Sequence, residues 1–300
     1  LRKRRLGNSS LNVSEIALGC MSLPDNPKEA KAIVDEALDF GISYFDTADF
    51  YGKGQNEELV GRSLGGKRQD IILATKVGNE WNEETDDVTW NPSAGYIKSQ
   101  VHNSLRRLKT DYIDLYQLHG GMITDPSDET IDAFESLKKE GLIREYGISS
   151  IRPNVIRRFL KNSDIASIMM QFSLLDRRPE EFLDEIAEAE MSVVTRGSLA
   201  KGLLTSEALV RAGDTDGYMD YSQPELLAAL KELLSIENNL NALALHSVLQ
   251  HETVASVVAG ASSADQIRDT ITAYDSAISA EQIEAAGLIT KQSRYKEHRE

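Results

Sequence analysis

Apolar and polar positions alternate along the chain between two kinds of segment. Short β-type runs, at Glu15–Leu18, Tyr44–Asp46, Ile71–Thr75, Asp114–Leu118, Glu145–Ile148, Ile168–Phe172, Ser192–Thr195 and Val254–Val258, each end in small or polar residues. Each run gives way to a stretch of helical period. After the first, Ala30, Ile33, Val34, Ala37 and Leu38 fall at i, i+3, i+4, i+7 and i+8, one apolar stripe on an amphipathic helix that Gly41 ends. Ile97, Val101, Leu105 and Leu108 repeat the stripe, as do Ile131, Phe134 and Leu137, and Pro153 and Pro179 stand where a first helical turn begins.

Eight β-then-α units predict parallel strands, because a crossover helix joins parallel neighbours, and the number suits closure into a (β/α)8 TIM barrel spanning residues 1–300 as a single domain. An open doubly wound sheet is the alternative. Against it, no G-x-G-x-x-G follows the first run, and no G-x-x-x-x-G-K-[ST] occurs. Arg4 to Val13, folded around Gly7-Asn8-Ser9-Ser10, reads as a β-hairpin able to plug the N-terminal end of the barrel. The long interval between the last two runs holds Gly213 to Gly217 and predicts an excursion loop. Ser279 to Tyr295, with Ile283, Ala286 and Ile289, predicts an extra C-terminal helix packed outside.

Charge and cysteine usage narrow the function. The 300 residues carry 33 Lys and Arg against 48 Asp and Glu, a net charge of −15, which disfavours nucleic acid or an anionic membrane as partner. Cys20 is the sole cysteine, so no intramolecular disulfide forms, and the five histidines show no metal-ligand spacing. No apolar stretch suits a signal peptide or a membrane span, and a cytoplasmic, metal-free protein is expected. The glycosylation sequons at Asn8 and Asn12 read as polar turns. His246 and His251 are expected on a helix surface, and Tyr116 and Gln117 as packing within the fourth run.

In a barrel, polar residues at the C-terminal ends of the strands share one mouth. There the second run ends in Asp46 and its loop carries Tyr51, the third leads to Lys76, and the fourth to His119. Asp and Lys at neighbouring strand ends can form a buried ion pair. An ammonium beside a phenol favours its ionised form and makes tyrosine a usable general acid.

The surrounding sequence reads Gly41-Ile42-Ser43-Tyr44-Phe45-Asp46-Thr47-Ala48, then Tyr51-Gly52, Ala74-Thr75-Lys76 and Asp114-Leu115-Tyr116-Gln117-Leu118-His119. It continues through Arg4-Arg5-Leu6-Gly7, Ile143 to Ser149, Gln171-Phe172-Ser173 and Ala200-Lys201-Gly202-Leu203-Leu204. This pattern resembles the aldo-keto reductase superfamily over nearly the whole chain. The resemblance implies a (β/α)8 barrel that reduces aldehydes or ketones with NADP(H), NAD(H) being the lesser expectation. It implies Tyr51 as proton donor, Lys76 as the group that tunes it, Asp46 as partner of Lys76 and His119 as orienter of the carbonyl. The partner expected is a small-molecule carbonyl substrate, and the assembly state a monomer or weak homo-oligomer.

The resemblance also implies the coenzyme contacts. Ser149, Ser150 and Gln171 would hold the nicotinamide carboxamide, Ser150 standing where the family has asparagine. Arg196 replaces a stacking tyrosine in Thr195-Arg196-Gly197-Ser198-Leu199, and a planar guanidinium can stack too. Cys20, Met21, Asp46 and Lys201 belong to the same implied set. After the eighth run, Gly260, Ser262, Ser263, Gln266, Arg268 and Thr270 align with the adenosine-phosphate loop. A helix N-terminus there suits an anion, although Arg268 is the nearest cation. Trp81 would line the substrate pocket beside Tyr51 and His119. Two other functions stay open: a Schiff-base barrel aldolase using Lys76, and a redox-sensing NADPH-binding regulatory subunit with little turnover.

Overall fold

A computed structural model describes residues 1–82 and 84–300. The barrel strands are, in chain order, Ile16–Gly19, Tyr44–Asp46, Ile72–Val77, Ile113–Leu118, Ile143–Ser149, Ser167–Gln171, Ser192–Arg196 and Val254–Gly260. All neighbours pair in parallel, and the eighth strand pairs with the first to close the sheet. Closure leaves the barrel sheet itself without an edge to protect. The expected barrel is therefore present, with every strand at its sequence position to within two residues.

Helices cover the outside, and their apolar stripes face the sheet as the periodicity requires. In Pro27–Asp39, Ala30, Ile33, Val34 and Ala37 are buried while Leu38 is partly so. Asn26 caps the start by accepting from the Lys28 amide, and Gly41, at φ 81°, supplies the left-handed turn beyond the end. In Ala94–Leu108 the stripe Ile97, Val101, Leu105 and Leu108 is buried, and Ser93 is its cap. Burying each such side chain contributes about 1.5–3 kcal/mol.

Lys3–Arg5 and Asn12–Ser14 form the antiparallel hairpin. Its Leu6, Leu11 and Val13 join Ala17, Tyr44, Ala74, Leu115, Met169 and Val194 in one apolar cluster, the last six coming from six different barrel strands. The hairpin thus plugs the N-terminal end. Gly7 (φ 54°) is required there, since a Cβ would lie 2.4 Å from the Ala166 carbonyl oxygen. Arg4 fixes the plug by pairing with Glu15 at 2.6 Å and donating to the carbonyls of Leu249, His251 and Val254.

Two expectations need correction. The outer helix spans Ala280–Ile289 and stops at Thr290, so residues 291–295 are not helical, and of its apolar stripe Ala286 alone is buried. His246 and His251 are not surface residues of one helix. His246 is half-buried against the Tyr274 carbonyl at 3.0 Å, whereas His251 lies beyond Leu249, the last helical residue, against Phe172. The excursion between strands seven and eight contains the helix Ala208–Gly213 and a tiny hairpin, Gly217–Tyr218 with Tyr221–Ser222. Among the described residues, no helix is long and apolar enough to cross a membrane.

Candidate active site

Strand register brings Asp46, Lys76 and Gln117 together. Asp46 stands opposite Ala74, two residues before Lys76, and Lys76 is level with Gln117 on the fourth strand. With a period of two, all three side chains face the barrel interior. The Lys76 ammonium donates to Asp46 Oδ1 at 2.5 Å and to the Thr47 carbonyl at 2.7 Å, with Lys76 1% exposed. Burial alone would lower its pKa, but the Asp46 carboxylate and Tyr51 outweigh burial and hold the ammonium above its ordinary range. For Asp46, burial pushes the carboxyl up, with Lys76 and then Gln117 opposing.

Tyr51 opens a short turn, Tyr51–Gly54, in which Gly52, Lys53 and Gly54 are all left-handed. That compact turn swings the phenol back over the barrel. Lys76 Nζ lies 5.2 Å from the Tyr51 ring centre, and the His119 ring meets Tyr51 edge-on at 5.7 Å. Burial, then Lys76 and Arg196, push the His119 imidazole down to about 3, so it is neutral at physiological pH. Its Nδ1 is buried without a partner among the described residues. The arrangement offers a phenol, a fixed ammonium and a neutral imidazole around one spot, which suits a substrate oxygen that gains negative charge.

A cleft of about 650 Å³ opens on the outer side of Tyr51, away from His119, where Met21, Leu23, Phe50, Leu59 and Val88 alternate with polar residues such as Asn56, Glu58 and Arg62 and the Lys53–Asp86 ion pair. Trp81 does not line this cleft. Its half-buried ring lies 5.9 Å from the Arg107 guanidinium.

The expected coenzyme residues fall into three groups. Ser149, Gln171 and Arg196 end strands five, six and seven and share the mouth, with Arg196 Nη1 donating to Gln171 Oε1 at 3.0 Å. Gly197 (φ 69°) lets the backbone turn 3.3 Å from the Gln171 side chain, as measured from the position of a Cβ. Ser150 is buried and accepts from the Arg152 amide, and Ser198 bonds to Thr195. Leu199 is half-buried and Lys201 exposed. The second group follows strand eight. Ser263 caps the helix Ala264–Asp275, Gln266 accepts from the Ser262 amide, Thr270 bonds back to the Gln266 carbonyl, and Gly260 is exposed next to Ser22. Arg268 is held by Glu36 at 2.8 Å and Asp265 at 2.5 Å. The third group follows strand one: Met21 is 64% exposed, whereas the Cys20 thiol is fully buried and burial pushes its pKa up.

Other residues at the site escaped sequence reasoning. Gln117 is not mere packing: its Nε2 donates to Asp46 Oδ2 at 3.2 Å. Asp176 and Arg178 lie directly behind Gln171, and the run Gln171-Phe172-Ser173-Leu174-Leu175-Asp176-Arg177-Arg178 was the signal available for them. Asp49 is fully buried, with neither carboxylate oxygen bonded among the described residues.

Comparison with known proteins agrees with this geometry. Residues 15–287 match the profile of the Aldo/keto reductase family. The chain is 52% identical over 305 residues to the uncharacterized oxidoreductase YqkF of Bacillus subtilis, with all of both chains covered. It is 34% identical to the aldo-keto reductase yakc [NADP(+)] of Schizosaccharomyces pombe, over 67% of this chain and 62% of that one. The holo form of aldo-keto reductase AKR11C1 from Bacillus halodurans superposes with a TM-score of 0.96 at 52% identity, covering 100% of each chain. The closed parallel barrel, the Asp46–Lys76 pair beneath Tyr51 and these likenesses lead to one conclusion: the chain belongs to the aldo/keto reductase family and is an oxidoreductase.

Proposed function

We propose that this protein reduces aldehydes or ketones to alcohols with NADP(H), Tyr51 supplying the proton. The observation that carries the reading is the convergence of Tyr51, His119 and the buried Lys76–Asp46 pair at one end of the barrel.

The residues at the mouth fit a nicotinamide dinucleotide. Gln171 and Ser149 offer polar groups suited to a carboxamide, Arg196 a planar cation, and the capped helix Ala264–Asp275 an N-terminus suited to phosphate. When bound, the reduced nicotinamide supplies the hydride. The protein's part is to meet the charge that builds on the carbonyl oxygen. The Tyr51 hydroxyl gives its proton to that oxygen, Lys76 stabilises the resulting phenolate, and Asp46 keeps Lys76 in place. His119, neutral, orients the carbonyl without adding a charge. The cleft beside Tyr51 sets Met21, Leu23, Phe50, Leu59 and Val88 among polar side chains such as Asn56, Glu58 and Arg62, which suits a substrate with both hydrocarbon and polar parts.

The choice of NADP(H) is supported by the name of the fission-yeast relative, which carries NADP(+). An aldolase role for Lys76 is disfavoured, since a Schiff-base lysine needs a lowered pKa and Lys76 is held the other way. The test is a panel of small aldehydes, ketones, dicarbonyls and sugars, following NADPH and NADH oxidation. Turnover of at least one carbonyl, faster with NADPH, is expected. Tight NADPH binding with no turnover of any carbonyl would establish the regulatory-subunit reading instead.

A further inference from the structure

Gln171 is held at the mouth by Arg196 and from behind by Asp176, which no part of the reaction above uses. Its Nε2 donates to Asp176 Oδ2 at 3.0 Å, and its Oε1 accepts from Arg196 Nη1 at 3.0 Å. A carboxylate only accepts and a guanidinium only donates, so these two contacts fix which way round the amide lies. The carbonyl oxygen faces Arg196 and the mouth. Asp176 is 1% exposed and is itself held by Arg178 through a two-pronged contact, with both bonds 2.7 Å long.

Behind Arg178 lies the segment that follows the outer helix, residues 291–300. The Tyr295 ring stacks 4.8 Å from the Arg178 guanidinium, is 5% exposed and also rests on Phe182. Its backbone amide donates to Glu181, which Arg299 clamps at 3.0 Å. The same segment reaches Gln171 by a second route. The Lys291 amide donates to the Tyr221 hydroxyl and its ammonium to the Asp220 carbonyl. These residues carry the tip of the excursion hairpin, where the Tyr218 hydroxyl and Met219 sulfur stand 3.5 and 3.6 Å from Gln171 Nε2.

We propose that Asp176, Arg178 and Tyr295 are positioning residues that hold the Gln171 amide with its carbonyl oxygen toward the mouth, coupling the order of segment 291–300 to binding of the nicotinamide end of the coenzyme. The inference rests on the coenzyme reading given above. Ordering of the segment favours the fixed amide, and a ligand that engages the fixed amide must in return order the segment, because such coupling is reciprocal. The adenosine end binds at the helix Ala264–Asp275, which makes none of these contacts, so it is indifferent to the segment.

The experiment compares NADPH with 2′-phospho-ADP-ribose, which lacks the nicotinamide. Binding of each is measured by quenching of tryptophan fluorescence in wild type, Tyr295→Ala, Tyr295→Phe and Arg178→Lys. Tyr295→Ala and Arg178→Lys are expected to weaken NADPH by about five- to tenfold and leave 2′-phospho-ADP-ribose unchanged. Tyr295→Phe keeps the ring and should match wild type. Hydrogen exchange on the unaltered protein gives a second readout: NADPH should protect the amides of 291–300, and 2′-phospho-ADP-ribose should not. Equal losses for both ligands, no loss in either variant, or equal protection by both ligands would overturn the coupling while leaving the coenzyme assignment intact. A wild type that binds neither ligand would overturn the coenzyme assignment and this inference with it.

Discussion

The Gln117 amide donates to Asp46 Oδ2 at 3.2 Å while Lys76 takes Asp46 Oδ1 at 2.5 Å, so each oxygen of the buried carboxylate has its own donor. Asp46 cannot rotate without losing one of them. Gln117→Leu leaves Oδ2 unpaired, at a cost of about 1–3 kcal/mol. A lower melting temperature and a several-fold lower kcat are expected, with KM for the coenzyme unchanged. Thermal melts run beside steady-state kinetics decide it, and a variant with wild-type kcat would show that Lys76 alone orients Asp46.

Tyr51→Phe removes the proton donor and the hydroxyl's hold on Lys76, while the ring contacts with His119 and Lys76 remain. A loss of about 10² or more in kcat is expected, with NADPH affinity held to within a few fold. Lys76→Met should also lower kcat sharply, but it leaves Asp46 without its cation and destabilises the fold as well. Full turnover of a simple aldehyde by folded Tyr51→Phe would end the assignment.

The grip of Glu36 and Asp265 on Arg268 gives the coenzyme preference a definite form. For a 2′-phosphate to gain Arg268, it must compete with two carboxylates. Arg268→Ala is expected to weaken NADPH by roughly tenfold and leave NADH alone, the scale of a charge-assisted contact. Glu36→Gln, which frees the guanidinium, should tighten NADPH and again spare NADH. Fluorescence titration of both coenzymes reads this directly, and equal changes for the two would make Arg268 structural.

Burial, then Lys76 and Arg196, push the His119 imidazole down from an ordinary 6.5 to about 3. Below pH 6.5 the unfolded chain binds a proton that the folded chain refuses, so this residue's contribution to stability falls as the pH drops from 6.5 toward 3. His119→Asn should flatten the pH dependence of the melting temperature across that window. In activity, no limb belonging to His119 is expected between pH 5 and 8. An acidic limb near 6.5 that vanishes in His119→Asn would show the imidazole to be charged in use.

Asp49 has the opposite sign. Burial, then Glu57, raises its carboxyl well above the usual range, with Arg107 and Lys76 opposing. The folded state therefore holds a proton that the unfolded chain releases. Its contribution is complete below the ordinary value of 3.8 and is lost as the pH rises toward the folded pKa. Asp49→Asn, neutral at every pH, should match or exceed wild-type stability at pH 7. A marked loss of stability there would mean that the Asp49 carboxylate is charged and paired.

Much of the molecule was legible in its linear pattern. Runs of period two followed by stripes of period 3.6 marked the eight strands and their covering helices, because each element must bury one face and local spacing dictates which face that is. Gly7 and the apolar residues around it marked the plug. Asp46, Lys76 and His119, with Tyr51 in the loop after strand two, could be placed at one mouth because parallel strands share a C-terminal end, and the resemblance to the aldo-keto reductases supplied their roles. What the pattern could not carry was the order of contacts across strands. Gln117 lies inside an apolar run and looks like filler until parallel register sets it level with Lys76 and beside Asp46. Arg268 looks like a free cation until helix Pro27–Asp39 brings Glu36 against it. Tyr295, 124 residues from Gln171 in the sequence, is linked to it through Arg178 and Asp176 only once the chain has wrapped around the barrel. Periodicity is a local property of the backbone and is written in neighbouring residues. Hydrogen-bond partners and pKa values depend on which distant groups share a low-dielectric space, and that is settled only when the barrel closes.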